Sequence, residues 1–191
     1  MSVKHHRALT LVIALLVAPI ADAHPLAAHA AAWQAFMHPF SGLDHVSAML
    51  VIGLWAGLTS SRRRLLPPLS FIVGLMVGAA LGAYHPTLPA MEIAIALTVL
   101  LLGPLAARDA RLPVLACLVA GAAAGLVHGY AHGVELSGQG LAGAAFVLGS
   151  VLLHAVGYVL ARRVTDSGNA VALRSALRAS GVLGFGLLWM A

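Results

Sequence analysis

Cysteine is all but missing from this chain. Cys117 stands alone inside an apolar segment, so neither an internal disulfide framework nor a thiolate metal site can be built within one copy. Charge is scarce as well: Asp, Glu, Lys and Arg supply 9% of 191 residues against 61% hydrophobic, and the mean hydropathy is +0.95. That leaves too little polar surface to cover a soluble globule of this size and assigns the chain to a bilayer. Acidic residues are fewest, six against eleven Lys and Arg. The resulting pI near 10.4 does not indicate a nucleic-acid partner, because the arginines fall in short clusters between apolar segments, where membrane topology accounts for them. Also missing are a nucleotide-binding glycine loop, an HExxH pair and a Gly-x-Ser-x-Gly nucleophile motif. Their absence excludes a nucleotide-driven pump within this chain and the commoner hydrolase classes.

What is present is long apolar runs with sparse punctuation. Lys4 and Arg7 precede the run Ala8–Ile20, followed by Ala21-Asp22-Ala23, a small-x-small pattern that reads as a cleavable signal peptide over residues 1–23. Cleavage there makes His24 the new N-terminus of a single domain, 24–191. Six further apolar runs, at roughly 41–60, 67–84, 89–107, 112–132, 139–161 and 174–191, have lengths suited to crossing a bilayer. The sixth starts with Arg174 and Arg178 and must begin in the headgroup zone with those side chains snorkelling. The expected architecture is an all-α bundle of six transmembrane helices. Arg62, Arg63 and Arg64, then Arg108 and Arg111, then Arg162, Arg163, Arg174 and Arg178 all fall on one side of it, which the positive-inside rule makes cytoplasmic. The mature N-terminus is then outside, in agreement with a cleaved signal. Gly74, Gly78 and Gly82 in the second span, and Gly121 and Gly125 in the fourth, have the four-residue spacing of close helix packing and are read as packing faces.

With that topology, His24, His29, His38, Asp44, His45, His85, Glu92, His128, His132 and Glu135 all map to the outer side, and only His154 lies nearer the inner one. Ionisable residues at membrane depth are costly unless they find partners or water, so their gathering is a functional signal. Two groups stand out. In His38-Pro39-Phe40-Ser41-Gly42-Leu43-Asp44-His45, a continuous helix would put His38 and His45 on one face, whereas a helix loosened at Pro39 and Gly42 would expose backbone carbonyls. Either geometry offers donors to a metal, and the bland alternative is a polar collar with a helix cap at Ser41. In His128-Gly-Tyr-Ala-His132-Gly-Val-Glu135, spacings of four, three and seven align two imidazoles and a carboxylate, a divalent-metal pattern or else interfacial decoration of a helix end. Glu92 completes such a site or caps the third helix. His24 can chelate through its amine and imidazole, but Pro25 blocks ligation by a deprotonated amide, so it captures weakly or belongs to an inert tail. His154, with Tyr158 one turn on, reads first as a core histidine hydrogen-bonded to a neighbouring helix and second as a step on an exit path.

The pattern His38-Pro39…Gly42…Asp44-His45…Met49…Gly53…Ala56 with His128-Gly129…Ala131-His132-Gly133…Glu135 resembles the HupE/UreJ family of hydrogenase and urease accessory membrane proteins. The resemblance covers essentially the whole mature chain. It implies a permease of the bacterial inner membrane for nickel, with cobalt or zinc as rival ions, and it implies urease or hydrogenase maturation proteins as the downstream partners. It carries the functional role onto His38, Asp44, His45, His128, His132 and Glu135. Two other readings stay open. One is an intramembrane zinc hydrolase of ceramidase-like type using Ser41/His45 and His128/His132. The other is a metal sensor or assembly partner that transports nothing.

Overall fold

The computed structural model describes residues 25–59, 62–84, 90–108, 112–136 and 140–190. The segment 1–23 predicted as a signal peptide, His24 and His85 lie outside the described residues, as do the side chains of Val134 and Glu135. Among the described residues the structure is all-helical: α1 (Pro25–Met37), a 3-10 turn (His38–Phe40), α2 (Leu43–Leu58), a 3-10 turn (Arg62–Leu65), α3 (Leu66–Tyr84), α4 (Met91–Ala107), α5 (Val114–Leu136), α6 (Gly140–Asp166), α7 (Ala170–Ala179) and α8 (Gly181–Met190).

Helices α2 to α6 coincide with the first five predicted spans to within a few residues. By length and composition, three are long and apolar enough to cross a bilayer: Arg62–Tyr84, Val114–Gly133 and Gly140–Asp166. A fourth is possible if the bent pair Ala28–Phe40 and Leu43–Leu58 counts as one span, and Met91–Ala107 is a shorter apolar helix. The predicted sixth span is not one helix. It divides at Ser180, whose hydroxyl donates to the Leu177 carbonyl at 2.8 Å, into an Arg-bearing α7 and an apolar α8. Arg174 anchors the start of α7: its guanidinium donates to the carbonyls of Ala107 (3.1 Å) and Leu58 (3.4 Å), the C-terminal ends of α4 and α2. Terminal carbonyls lack intrahelical donors, and one side chain here serves two helices.

Lipid offers no hydrophobic incentive for helices to associate, so close approach of backbones must supply the attraction. The two glycine stripes singled out in the sequence do this against each other. A Cβ on Gly74, Gly78 or Gly82 would overlap the carbonyls of Ala122, Leu126 and Tyr130, and one on Gly125 or Gly129 would overlap those of Phe71 and Leu75. The partner numbers rise together, so α3 and α5 run parallel. Gly53 and Gly157 bring α2 and α6 together in the same parallel sense, with a Cβ on Gly53 overlapping the His154 carbonyl and one on Gly157 overlapping that of Leu50. These two pairs share a core that includes Met49, Ile52, Trp55, Phe71, Leu75 and Phe146, and they set the positions of every buried histidine.

Candidate metal centre

The first polar group sits on a broken helix, not a continuous one. Pro39 occupies the 3-10 turn after α1, Gly42 is extended (φ −110°, ψ 134°), and α1 meets α2 at 73°. Met37 and Ser41 keep helical dihedrals, so the chain leaves the helix at Gly42, and Pro39, which has no amide proton, weakens the α-helical ladder just before that point. Ser41 does not cap α2; its hydroxyl donates to the His38 carbonyl at 2.7 Å and closes the 3-10 turn, and Gly42 is the N-cap. A Cβ at Gly42 would lie 2.5 Å from Asp44 Oδ1 and 3.3 Å from His45 Nδ1, so a side chain there would push the Asp44 carboxylate out of its place against His45.

Asp44 folds back over the first turn of α2. Its Oδ1 accepts from the His45 amide at 2.8 Å and lies 3.0 Å from His45 Nδ1. A carboxylate facing Nδ1 holds the proton there and leaves Nε2 with its lone pair. That Nε2 is 2.7 Å from His132 Nε2, across 87 residues of sequence, and the His132 ring centroid lies 4.3 Å from that of His38. His38, His45 and His132 each offer one ligand atom, all within 4.8 Å of one another. Two imidazole nitrogens bound to one ion at right angles, at about 2.1 Å each, stand about 3 Å apart, so the observed spacing suits a shared divalent metal. A cavity of about 260 Å³, lined in part by Gln34, His38, His132 and Phe146, adjoins the cluster between α1, α5 and α6.

His128 lies one turn from His132 and is fully buried, its ring 4.9 Å from that of His45. Its Nε2 is 3.0 Å from Thr98 Oγ1, and the Thr98 hydroxyl already donates to the Ile95 carbonyl at 2.7 Å. Thr98 has only that one proton to give, so its oxygen accepts from His128 Nε2–H. The tautomer follows: Nδ1 carries the lone pair, and it is buried without a hydrogen-bond partner.

Six of the eight sequence-derived ligand candidates can therefore be located. His38, His45 and His132 converge, His128 adjoins them, Asp44 contacts His45, and Glu92 is an exposed first-turn residue of α4 outside the three-histidine cluster. His24 lies outside the described residues, and for Glu135 only its place in the last turn of α5 is described. Thr98, Gln34 and Phe146 escaped notice in the sequence because a lone Thr, Gln or Phe on an apolar helix carries no spacing signal; only the fold brings them to the histidines.

Helices of this composition, joined through buried inter-helix histidines, define a multi-pass membrane protein with a polar cluster inside its bundle. The chain belongs to the HupE/UreJ family: the family model described as HupE / UreJ protein matches residues 11–188. It is similar to Protein HupE of Rhizobium leguminosarum bv. viciae, with 38% identity over 175 residues that cover 88% of this chain and 91% of the relative. No solved structure matches. The family is one of metal-transport and accessory proteins, not of enzymes. The hydrolase alternative falls with that assignment, and the site agrees: the exposed Ser41 hydroxyl is engaged by its own turn and points its proton at His38's carbonyl.

Proposed function

We propose that this protein is an inner-membrane permease for nickel or a related divalent ion, supplying metal for urease or hydrogenase maturation. The observation that carries the reading is the convergence of His38, His45 and His132 from two distant parts of the chain, with all three donor atoms within 4.8 Å. The proposal includes six spans, a cleaved signal peptide and an outward-facing N-terminus, so that the cluster faces the periplasm. Support for this topology comes from the clustered arginines and from the parallel pairing of α2 with α6 and α3 with α5, which alternating spans require.

In this reading an ion loses part of its hydration shell at the 260 Å³ cavity and is held by the three imidazoles, with His128 next inward. Asp44 acts through His45, fixing its tautomer and ring orientation and adding negative charge near the cation. Glu135, and His24 at the processed terminus, serve capture, and Glu92 is a peripheral contributor. An all-imidazole set without thiolate accepts nickel, cobalt, zinc or copper, so choice among them rests on geometry and supply. Transport needs release as well as binding, which favours a shell that retains water over a closed tetrahedral site. The driving force is the metal gradient or the membrane potential.

The test is uptake of radiolabelled nickel by cells expressing the chain. His45→Ala is expected to abolish uptake and Asp44→Asn to reduce it by about ten- to a hundredfold, with protein still in the membrane. Normal uptake in both variants would remove the permease reading.

A further inference from the structure

We propose that His154 is a second, inner station for the transported ion, and that Phe71 is the partition separating it from the histidine cluster. This rests on the permease reading and adds a path to it. The core interpretation of His154 required a hydrogen-bond partner on a neighbouring helix. Among the described residues its Nε2 has no hydrogen-bond partner, although the residue is only 6% exposed. Ser150, one turn earlier, is engaged by the Phe146 carbonyl of its own helix. An unpartnered imidazole nitrogen inside an apolar core costs free energy that Leu or Met at the same place would not, so packing alone does not account for it.

His154 is also positioned, not merely tolerated. Gly53 lets the α2 backbone lie directly on the His154 carbonyl, and the ring then faces Phe71 edge-on, with centroids 5.1 Å apart and planes at 84°. Phe71 also lies against His128, with ring centroids 6.0 Å apart. Phe71 is fully buried, and the two imidazoles it contacts each carry a buried nitrogen without a partner, Nδ1 in His128 and Nε2 in His154. The order along the bundle is the His38/His45/His132 cluster, His128, Phe71, His154. At 1.5 Å per residue, His154 lies about 21 Å along α6 from Gly140, whereas His128 is only about 12 Å from the end of α5 at Leu136. One side-chain rotation at Phe71 is then all that separates two ion-accepting nitrogens, and the closed ring keeps water and protons from leaking through when no ion is crossing.

Full-length variants reconstituted into liposomes loaded with a nickel-sensitive dye test this. His154→Gln is expected to keep the nickel affinity of the outer three-histidine cluster in detergent and to transport about tenfold more slowly. Wild-type transport, or a binding loss as large as the transport loss, overturns the inner station. Phe71→Ala is expected to keep binding and to transport at least about threefold faster at saturating nickel; an unchanged or slower rate overturns the partition. Should either variant fail to accumulate, carbethoxylation of the wild-type chain decides: nickel on both sides must protect His154 as well as His45, and protection of His45 alone overturns the proposal. His45→Ala, run alongside, separates the two levels. Normal transport there sinks the permease reading itself, whereas lost transport there with normal transport in His154→Gln removes only the inner station.

Discussion

The two ends of the helix bundle solve the problem of polar groups in different ways. At the histidine end, side chains from distant helices meet one another: His45 with His132, and His128 with Thr98. At the arginine end, side chains meet backbone or their own helix: Arg174 reaches the carbonyls of Ala107 and Leu58, and Arg162 pairs with Asp166 one turn away at 3.0 Å. The first arrangement depends on the relative placement of α2, α4 and α5 to within a fraction of an ångström. The second needs only a long cation near a helix end. In the proposed permease, chemistry is therefore concentrated where tolerance is smallest, and orientation in the membrane is entrusted to the end where tolerance is large.

This contrast can be broken most severely through the backbone. Gly129 adjoins His128, and a Cβ there would overlap the Leu75 carbonyl, so Gly129→Leu is expected to separate α3 from α5 and prevent accumulation of folded protein in the membrane. Gly143→Ala is the matched control. Nothing lies within 4 Å of a Cβ there, and membrane levels should be unchanged by immunoblot. Next in size, His132→Ala should leave membrane levels intact and lower nickel uptake by about ten- to a hundredfold; comparable loss from Arg63→Ala would erase the distinction between the ends. Thr98→Val is a gentler probe at the histidine end. It removes the acceptor that fixes the His128 tautomer, and a few-fold weaker nickel binding by calorimetry is expected. Arg174→Ala should have the smallest effect on transport. It leaves two helix-terminal carbonyls without their donor, lowering stability by about 1 kcal/mol in thermal melts while uptake at moderate temperature stays near wild type.

Much of the fold was legible because hydropathy reports depth. Five helices fall where apolar runs predict them, and His38, His45 and His132, grouped in the sequence by depth, lie together in the fold. What hydropathy does not report is the lateral direction of a side chain, since lipid-facing and core-facing positions are equally apolar. Hence Glu92 shares the depth of the cluster yet lies exposed outside it, and Phe71 and Thr98 are invisible until α3 and α4 are in place. The break at Ser180 was hidden because Gly181–Ala191 and the preceding segment read as one run, and the Arg174 contacts with carbonyls of α2 and α4 appear only in the fold. The glycine stripes are the instructive exception. Their four-residue spacing encodes lateral direction, and in the structure the faces so marked on α3 and α5 meet each other.

The 73° bend between α1 and α2 gives the three imidazoles unequal freedom. His45 and His132 are carried by helices that cannot shift without unpacking the bundle, whereas His38 rides on a three-residue turn between two helix axes. In coordination terms the cluster has a fixed two-tooth jaw and one hinged tooth. Under the proposed permease reading, an ion held by all three would be surrendered one bond at a time, beginning with His38, and its release would draw on a local bend and not on the full strength of the site.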